Sequence, residues 1–96
     1  MLDLRPCCEI CGKELPPAAS DARICSFECT FCAECVAQVL DNVCPNCGGG
    51  LYPRPVRPQA LLAIRPPAIE RIVKPLDPAK HAALLARYRD VPPEQR

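Results

Sequence analysis

The chain has 96 residues and a net charge of +1, which fits one domain, and nine of its residues are cysteine. It has only two Phe, two Tyr and no Trp, so we expect its small core to need a metal or disulfide staple. No apolar run approaches the ~18 residues of a membrane span, and Asp3 and Glu9 interrupt a start that is unlike a secretory signal. We therefore expect a cytoplasmic protein with no membrane partner, in which clustered cysteines bind metal.

Eight of the nine cysteines form four closely spaced pairs. Each pair has two or three residues between its members, and a two-residue gap lets both sulfurs reach one ion at ~2.3 Å. All-sulfur ligation selects zinc or iron, and zinc is typical of structural modules. Gly12 and Gly48 directly follow two of the pairs and suit the turn of a zinc knuckle. The pattern predicts two structural Zn²⁺ ions, with these pairs as ligands: Cys8/Cys11, Cys25/Cys29, Cys32/Cys35 and Cys44/Cys47.

The spacing leaves open which pairs share an ion. In a cross-brace, the first and third pairs share one ion and the second and fourth share the other. In a sequential arrangement the first two pairs share one ion and the last two share the other. In a nested arrangement the first and fourth pairs share one ion, and the second and third pairs share the other. In each case four thiolates close the site to water and make zinc a weak Lewis acid, so we expect no enzyme activity.

Three stretches around these pairs resemble a RING finger. CEIC at 8–11 is similar to the first knuckle, CTFCAECV at 29–36 to the central segment, and CPNC at 44–47 to the last knuckle. The resemblance implies a small α+β, RING-like or treble-clef fold and favours the cross-brace. It also implies that Ile10 and Pro45 lie on the surface that contacts a partner. The ligand sets would then be Cys8, Cys11, Cys32 and Cys35 for one zinc, and Cys25, Cys29, Cys44 and Cys47 for the other.

A second resemblance extends over almost the whole chain. MLDLRP, DARICSFECTFCAECV, NVCPNCGG, KPLDP and DVPPEQR are similar to a small bacterial zinc-binding family called domain of unknown function 1272. The resemblance implies a cytoplasmic bacterial zinc protein and no particular activity. It places the first ligand pair at Cys8 and Cys11, which leaves Cys7 as a spare thiol, although Cys7 and Cys11 would also be geometrically compatible. We interpret Cys7 as an inert surface thiol rather than a redox sensor.

Proline and charge divide the chain near residue 50. Residues 1–50 carry seven acids and three bases, whereas residues 51–96 carry nine bases, four acids and nine of the 13 prolines. We expect 1–50 to form the cysteine-rich two-zinc module. Residues 51–78 should form an extended proline-rich strap packed on it, because proline disfavours helix interiors. Within the strap, Ala60–Ile64 and Ile69–Val73 are candidates for edge strands or extended packing segments.

Two helices are predicted. A short one runs from about Val36 to Asp41, with Val36, Val39 and Leu40 facing inward. The other begins after Asp77, which can cap it, with Pro78 at the first helical position, and 79–96 then form the C-terminal helix and tail. Its packing stripe recurs at helical spacing, and we interpret its histidine as a core residue rather than a ninth ligand. The stripe consists of His81, Leu84, Leu85 and Tyr88.

The function that these features favour is a non-catalytic zinc protein that serves as a structural or protein-interaction module. One alternative is a component of a RING-type ubiquitin-like ligase, although 36–43 lacks the usual Trp and Gly48 stands where an Arg often follows the last ligand. A nucleic-acid-binding zinc protein is the other alternative and is less favoured, since its basic residues alternate with prolines and aliphatics. Those residues are Arg54, Arg57, Arg65, Arg71 and Lys74.

Overall fold

A three-stranded antiparallel sheet positions two of the cysteine pairs. The computed structural model describes residues 1–96, and its first two strands are β1 (Ala22–Ile24) and β2 (Thr30–Cys32). β3 (Tyr52–Pro53) pairs with the other edge of β1, so the strand order is β2-β1-β3. The β1–β2 turn carries the second cysteine pair and includes Glu28 in a left-handed conformation with φ 64°. The sheet therefore fixes this pair at one end and Cys32 at the end of β2.

A short helical segment follows β2 directly. It starts as α1 (Ala33–Cys35) and continues as a wider π-helical turn, Val36–Leu40, which ends at Asp41 with φ 51°. The predicted helix is confirmed, and Leu40 is fully buried as expected. The inward orientation predicted for Val39 is wrong, since it is 41% exposed. The wider π turn changes the angle between successive side chains, so a stripe drawn for an α-helix misplaces it.

Cysteine supplies much of the core. Six members of an eleven-residue core cluster are cysteines, and the others include Leu15, Phe31, Leu40 and Leu51. These thiols belong to the four predicted ligand pairs, so six of the eight positions expected to bind metal lie within the core, while Cys11 is exposed and Cys47 is partly buried. The chain is thus a small α+β protein whose core is built around two groups of cysteines.

The segment after β3 runs back along the N-terminal residues. It contains one short helix, α2 (Gln59–Leu62), and no further strand, so the edge strand considered for Ala60–Ile64 is wrong. Prolines stand on both sides of that run and exclude a longer ladder. Ile69–Val73 has no regular secondary structure and lies outside the sheet, and single backbone hydrogen bonds connect the residues beside it to 1–14: Ala68 N to Asp3 O at 2.9 Å and Lys74 N to Glu9 O at 2.8 Å.

Arg54, directly after β3, is buried and fastens two distant parts of the chain together. Its Nη1 donates to the carbonyl of Arg5 at 2.9 Å, and its Nη2 donates to those of Leu15 and Pro16 at 3.1 and 2.8 Å. Burial lowers the pKa of its guanidinium, and no carboxylate pairs with it. The residue that was a candidate phosphate contact is therefore an internal clamp.

The C-terminal helix, α3, spans Pro78–Tyr88 as predicted. Asp77 Oδ1 accepts from the backbone N–H groups of Ala79 and Lys80, each at 3.1 Å, which is the expected N-cap. His81 is buried, and its Nε2 lies 3.2 Å from the Val43 carbonyl, in agreement with a core role. A one-turn 3₁₀ helix, Pro93–Gln95, follows. None of the helices combines the length and apolar character that crossing a membrane requires.

Candidate metal centre

The first and third cysteine pairs form one compact group of thiols. The sulfurs of Cys8, Cys11, Cys32 and Cys35 all lie within 4.8 Å of one another. Four sulfurs placed tetrahedrally at ~2.3 Å from a zinc ion would be about 3.8 Å apart. The Sγ atoms of Cys11 and Cys32 are 3.8 Å apart. This group, the first centre, therefore has the size of a Cys₄ zinc site.

The second and fourth pairs form the other group, the second centre. The sulfurs of Cys25, Cys44 and Cys47 lie within 4.8 Å of one another. Cys29 stands at the edge of this trio, where its thiol interacts with those of Cys44 and Cys25. It also accepts a hydrogen bond from Asn46 Nδ2 at 3.4 Å. Three sulfurs are thus closely grouped, and the fourth is joined to them less tightly.

In each centre, one cysteine pair lies on a tight turn, and the two turns have the same geometry. In the first, Gly12 N donates to Cys8 O at 3.0 Å, and in the second Gly48 N donates to Cys44 O at 2.8 Å. Both glycines have positive φ, 75° and 80°, which side-chain-bearing residues rarely adopt. A backbone N–H also points at one sulfur in each turn, from Ile10 to Cys8 and from Gly49 to Cys47, each at 3.4 Å. Such N–H groups offset thiolate charge, as in a zinc knuckle.

The grouping is the interleaved one. The structure brings together the first and third pairs and, separately, the second and fourth, as in the cross-brace, and it shows neither the sequential nor the nested sets. All eight cysteines predicted as ligands take part. The two groups can hold metal ions, and the donor chemistry suits zinc.

Cys7 lies outside both groups, and the surface position expected for it is wrong. It is 1% exposed, because the segment after α2 covers it, and its Sγ is directed at the Ile72 carbonyl 3.9 Å away. The covering segment is more than sixty residues away in sequence, so local composition around Cys7 gives no sign of its burial.

The thiols of the two centres do not titrate alike. In the second centre, hydrogen bonding from Cys44 lowers the pKa of Cys29 to about 5, and burial raises that of Cys25 to about 11. In the first centre, burial opposes ionisation of Cys8, but backbone N–H groups outweigh it and lower the Cys8 pKa, whereas burial raises that of Cys35. In each centre, hydrogen bonding thus favours ionisation of one thiol, Cys29 or Cys8, while burial opposes it at another, Cys25 or Cys35. A bound cation would displace the remaining protons.

Ile10 and Pro45 line one groove of about 220 Å³ beside the two centres. The strap also lines this groove, through Lys74 to Asp77, which lead into α3, and Leu76 packs against the core cluster. The lining also includes Glu9, only 3% exposed, whose carboxylate accepts from Thr30 N at 2.5 Å and from Arg5 Nη1 at 2.8 Å. Sequence reasoning missed Glu9, since an acid inside a ligand pair reads as solvent-exposed.

Fold and site together define the class of the protein: a small α+β protein with two groups of four cysteines. The family model described as "Protein of unknown function (DUF1272)" matches residues 1–57, and the chain belongs to this family, as the sequence predicted. It is 55% identical over 75 residues to "Uncharacterized protein R02474" of Rhizobium meliloti (strain 1021), which covers 78% of this chain and 89% of that protein. No solved structure matches the chain.

Proposed function

We propose that the chain is a non-catalytic, RING-like two-zinc module of the bacterial cytoplasm that presents a surface to a protein partner. The observation that carries the proposal is the pair of interleaved four-cysteine groups, which place six of their eight cysteines in the core. Four thiolates would close each zinc site and leave no position for water or substrate, which supports a structural role. Cysteines gathered in metal-sized groups are typical of proteins in a reducing compartment, which supports the cytoplasm.

Charge supports the same proposal. Eight thiolates with two Zn²⁺ ions contribute −4, which would bring residues 1–50 from −4 to about −8. Residues 51–96, with a net charge of +5, contact this half through ion pairs and hydrogen bonds such as Arg71 to Glu14 and Arg89 to Asp41. The basic half therefore has a partner within the chain.

Metal removal is the direct test. Structural zinc contributes an apparent ~10–16 kcal/mol per site, at least as much as the roughly 5–15 kcal/mol net stability of a domain. Native mass spectrometry should give two zinc ions per chain, and a strong chelator should abolish amide-exchange protection across 8–47. The matched control is Cys7→Ser, which should keep both ions. A metal-free chain with native circular dichroism and native exchange protection would contradict a structural role for the ions.

One observation favours a second candidate function, that of a RING-type ligase component. Ile10 and Pro45, which that family would use to contact a carrier enzyme, line the same groove. Strap residues Lys74 to Asp77 also line this groove, so a carrier would meet the strap as well as the module. Discharge of a thioester-linked modifier from a carrier enzyme, lost in Ile10→Ala and retained in the surface control Gln38→Ala, would support this candidate. No discharge with several carriers would leave the first proposal in place.

The basic residues considered for nucleic acid are largely engaged within the chain. Arg54 is buried against three carbonyls, Arg57 donates to the carbonyls of Arg65 and Leu2, and Arg71 contacts Glu14 and the Gly12 carbonyl. We therefore favour a protein partner over nucleic acid. Binding of generic DNA or RNA that weakens steeply with salt would reverse this preference.

A further inference from the structure

Nitrogen atoms donate hydrogen bonds to sulfur in both centres, and one of these donors belongs to a side chain rather than to the backbone. Cys8 and Cys47 accept from the backbone N–H groups of their own turns, Ile10 and Gly49. Cys29 instead accepts from Asn46 Nδ2 at the same distance, 3.4 Å, across a sequence separation of 17 residues. This contact can be removed by one substitution without changing the backbone.

Cys29 is also the sulfur that stands apart from its set. Its three companions lie within 4.8 Å of one another, and it is absent from that trio. It is delivered by the β1–β2 turn directly after Glu28, whose φ is 64°, whereas Cys44 and Cys47 share the tight turn that contains Asn46. The side chain of Asn46 therefore links the loosely placed sulfur to the turn that holds the other ligands.

We propose that Asn46 is a positioning residue that holds Cys29 as the fourth ligand of the second centre. Its amide N–H would fix the direction of the sulfur and offset part of the thiolate charge, as groups that hydrogen-bond metal ligands do. The inference rests on the proposed function, since it assumes a metal ion in this centre. It makes the two centres unequal, because the first has no side-chain support of this kind.

The test uses the full chain with Asn46→Ala and Asn46→Asp. Asn46 is exposed and is absent from the residues with positive φ, so neither variant strains the backbone. Gln38→Ala, an exposed amide on the π-helical turn, is the control. ¹¹³Cd NMR of the cadmium-loaded protein should show two signals, of which one shifts in both Asn46 variants and the other remains fixed.

Zinc transfer to a chromogenic chelator supplies a second readout. We expect one of the two zinc equivalents to bind about tenfold more weakly and to leave correspondingly faster in Asn46→Ala, at the low end of the range for lost second-shell contacts. The loss should be larger in Asn46→Asp, since a carboxylate cannot donate and repels the thiolate. Alkylation by iodoacetamide, mapped by mass spectrometry, should accelerate at Cys29 and remain unchanged at Cys11.

The outcomes separate the inference from the proposed function. If the unsubstituted chain binds two ions and the Asn46 variants leave both ¹¹³Cd signals and both transfer rates unchanged, the inference is overturned and the two-zinc proposal stands. Equal shifts of both signals would also overturn it, because they would indicate a general effect on the fold. A chain that binds fewer than two ions would overturn both.

Discussion

Gly48→Ala should destabilise the protein, because two features of the structure require a glycine at this position. Gly48 follows the last cysteine pair with φ 80°, and a Cβ built on it would lie 2.7 Å from two ring atoms of Tyr88 and 3.4 Å from Leu84 Cδ2. Both side chains belong to α3. The glycine therefore serves two purposes, the left-handed turn of the knuckle and the close approach of the helix.

Gly12 separates these two purposes. It occupies the matching position after the first pair with φ 75°, but a Cβ there would meet only Val73 Cγ2 at 3.8 Å and Arg71 Nη2 at 3.9 Å, which are ordinary contacts. Alanine at either position would have to adopt the left-handed conformation, which destabilises the folded state by about 1–2 kcal/mol. Only Gly48→Ala adds an overpacking cost, roughly 1–3 kcal/mol. We expect Gly48→Ala to lower the free energy of unfolding by about 2–5 kcal/mol and Gly12→Ala by about 1–2 kcal/mol.

Urea unfolding of the zinc-loaded protein, followed by circular dichroism in excess zinc, measures both values. Adding Tyr88→Ala to each variant completes a double-mutant cycle. The cycle should show a coupling with Gly48→Ala of 1 kcal/mol or more, and almost none with Gly12→Ala. If Gly48→Ala cost no more than Gly12→Ala, or if Tyr88→Ala left the difference unchanged, then α3 would not be packed on the last knuckle in the way described.

Two other buried side chains give further predictions. Arg54→Met should lower the free energy of unfolding by roughly 2–4 kcal/mol, because three carbonyls lose their hydrogen-bond donor. In the same urea assay, Arg65→Met, at an exposed site, should change the free energy of unfolding by no more than about 0.5 kcal/mol. Equal effects would contradict the internal clamp. Cys7→Ser should retain two zinc ions by native mass spectrometry and Cys32→Ser should lose one; loss of an ion from Cys7→Ser would place Cys7 among the ligands.

The parts of the fold that sequence predicted well are those with local causes. The start of α3 follows from Asp77 and Pro78, which cap and begin the helix whatever lies nearby. The composition of the two thiol groups follows from the spacing of the four pairs together with the likeness to a RING finger. Spacing alone left three ways of assigning the pairs to two ions. It limits the distance between the two cysteines of a pair, but it does not determine which pairs come together in the fold.

The features of the fold that the sequence did not predict depend on contacts between residues far apart in the chain. Cys7 is buried by Ile72, and Arg54 bonds the carbonyls of Arg5 and Leu15, contacts that no local pattern encodes. The strands have two or three residues each, too few for an alternating pattern to be recognised. The inward position wrongly assigned to Val39 has a different cause, the π turn, which the sequence does not distinguish from an α-helix.

Residues that pack on the cysteine-rich half include several that lie beyond residue 57, where the match to the family model ends. The family model ends at residue 57, yet later residues close several of its features: Ile72 over Cys7, Tyr88 over Gly48, and Lys74 to Asp77 along the groove. Any continuous span of 75 residues in a chain of 96 includes residues 22–75, so the likeness to the Rhizobium meliloti protein extends into the strap. The protein partner that we propose for this chain would therefore meet a surface made by module and strap together. Substitutions on the strap side of the groove, such as Leu76→Ala, should weaken partner binding as strongly as Ile10→Ala, and an interaction assay that found only Ile10→Ala to be damaging would assign the surface to the module alone.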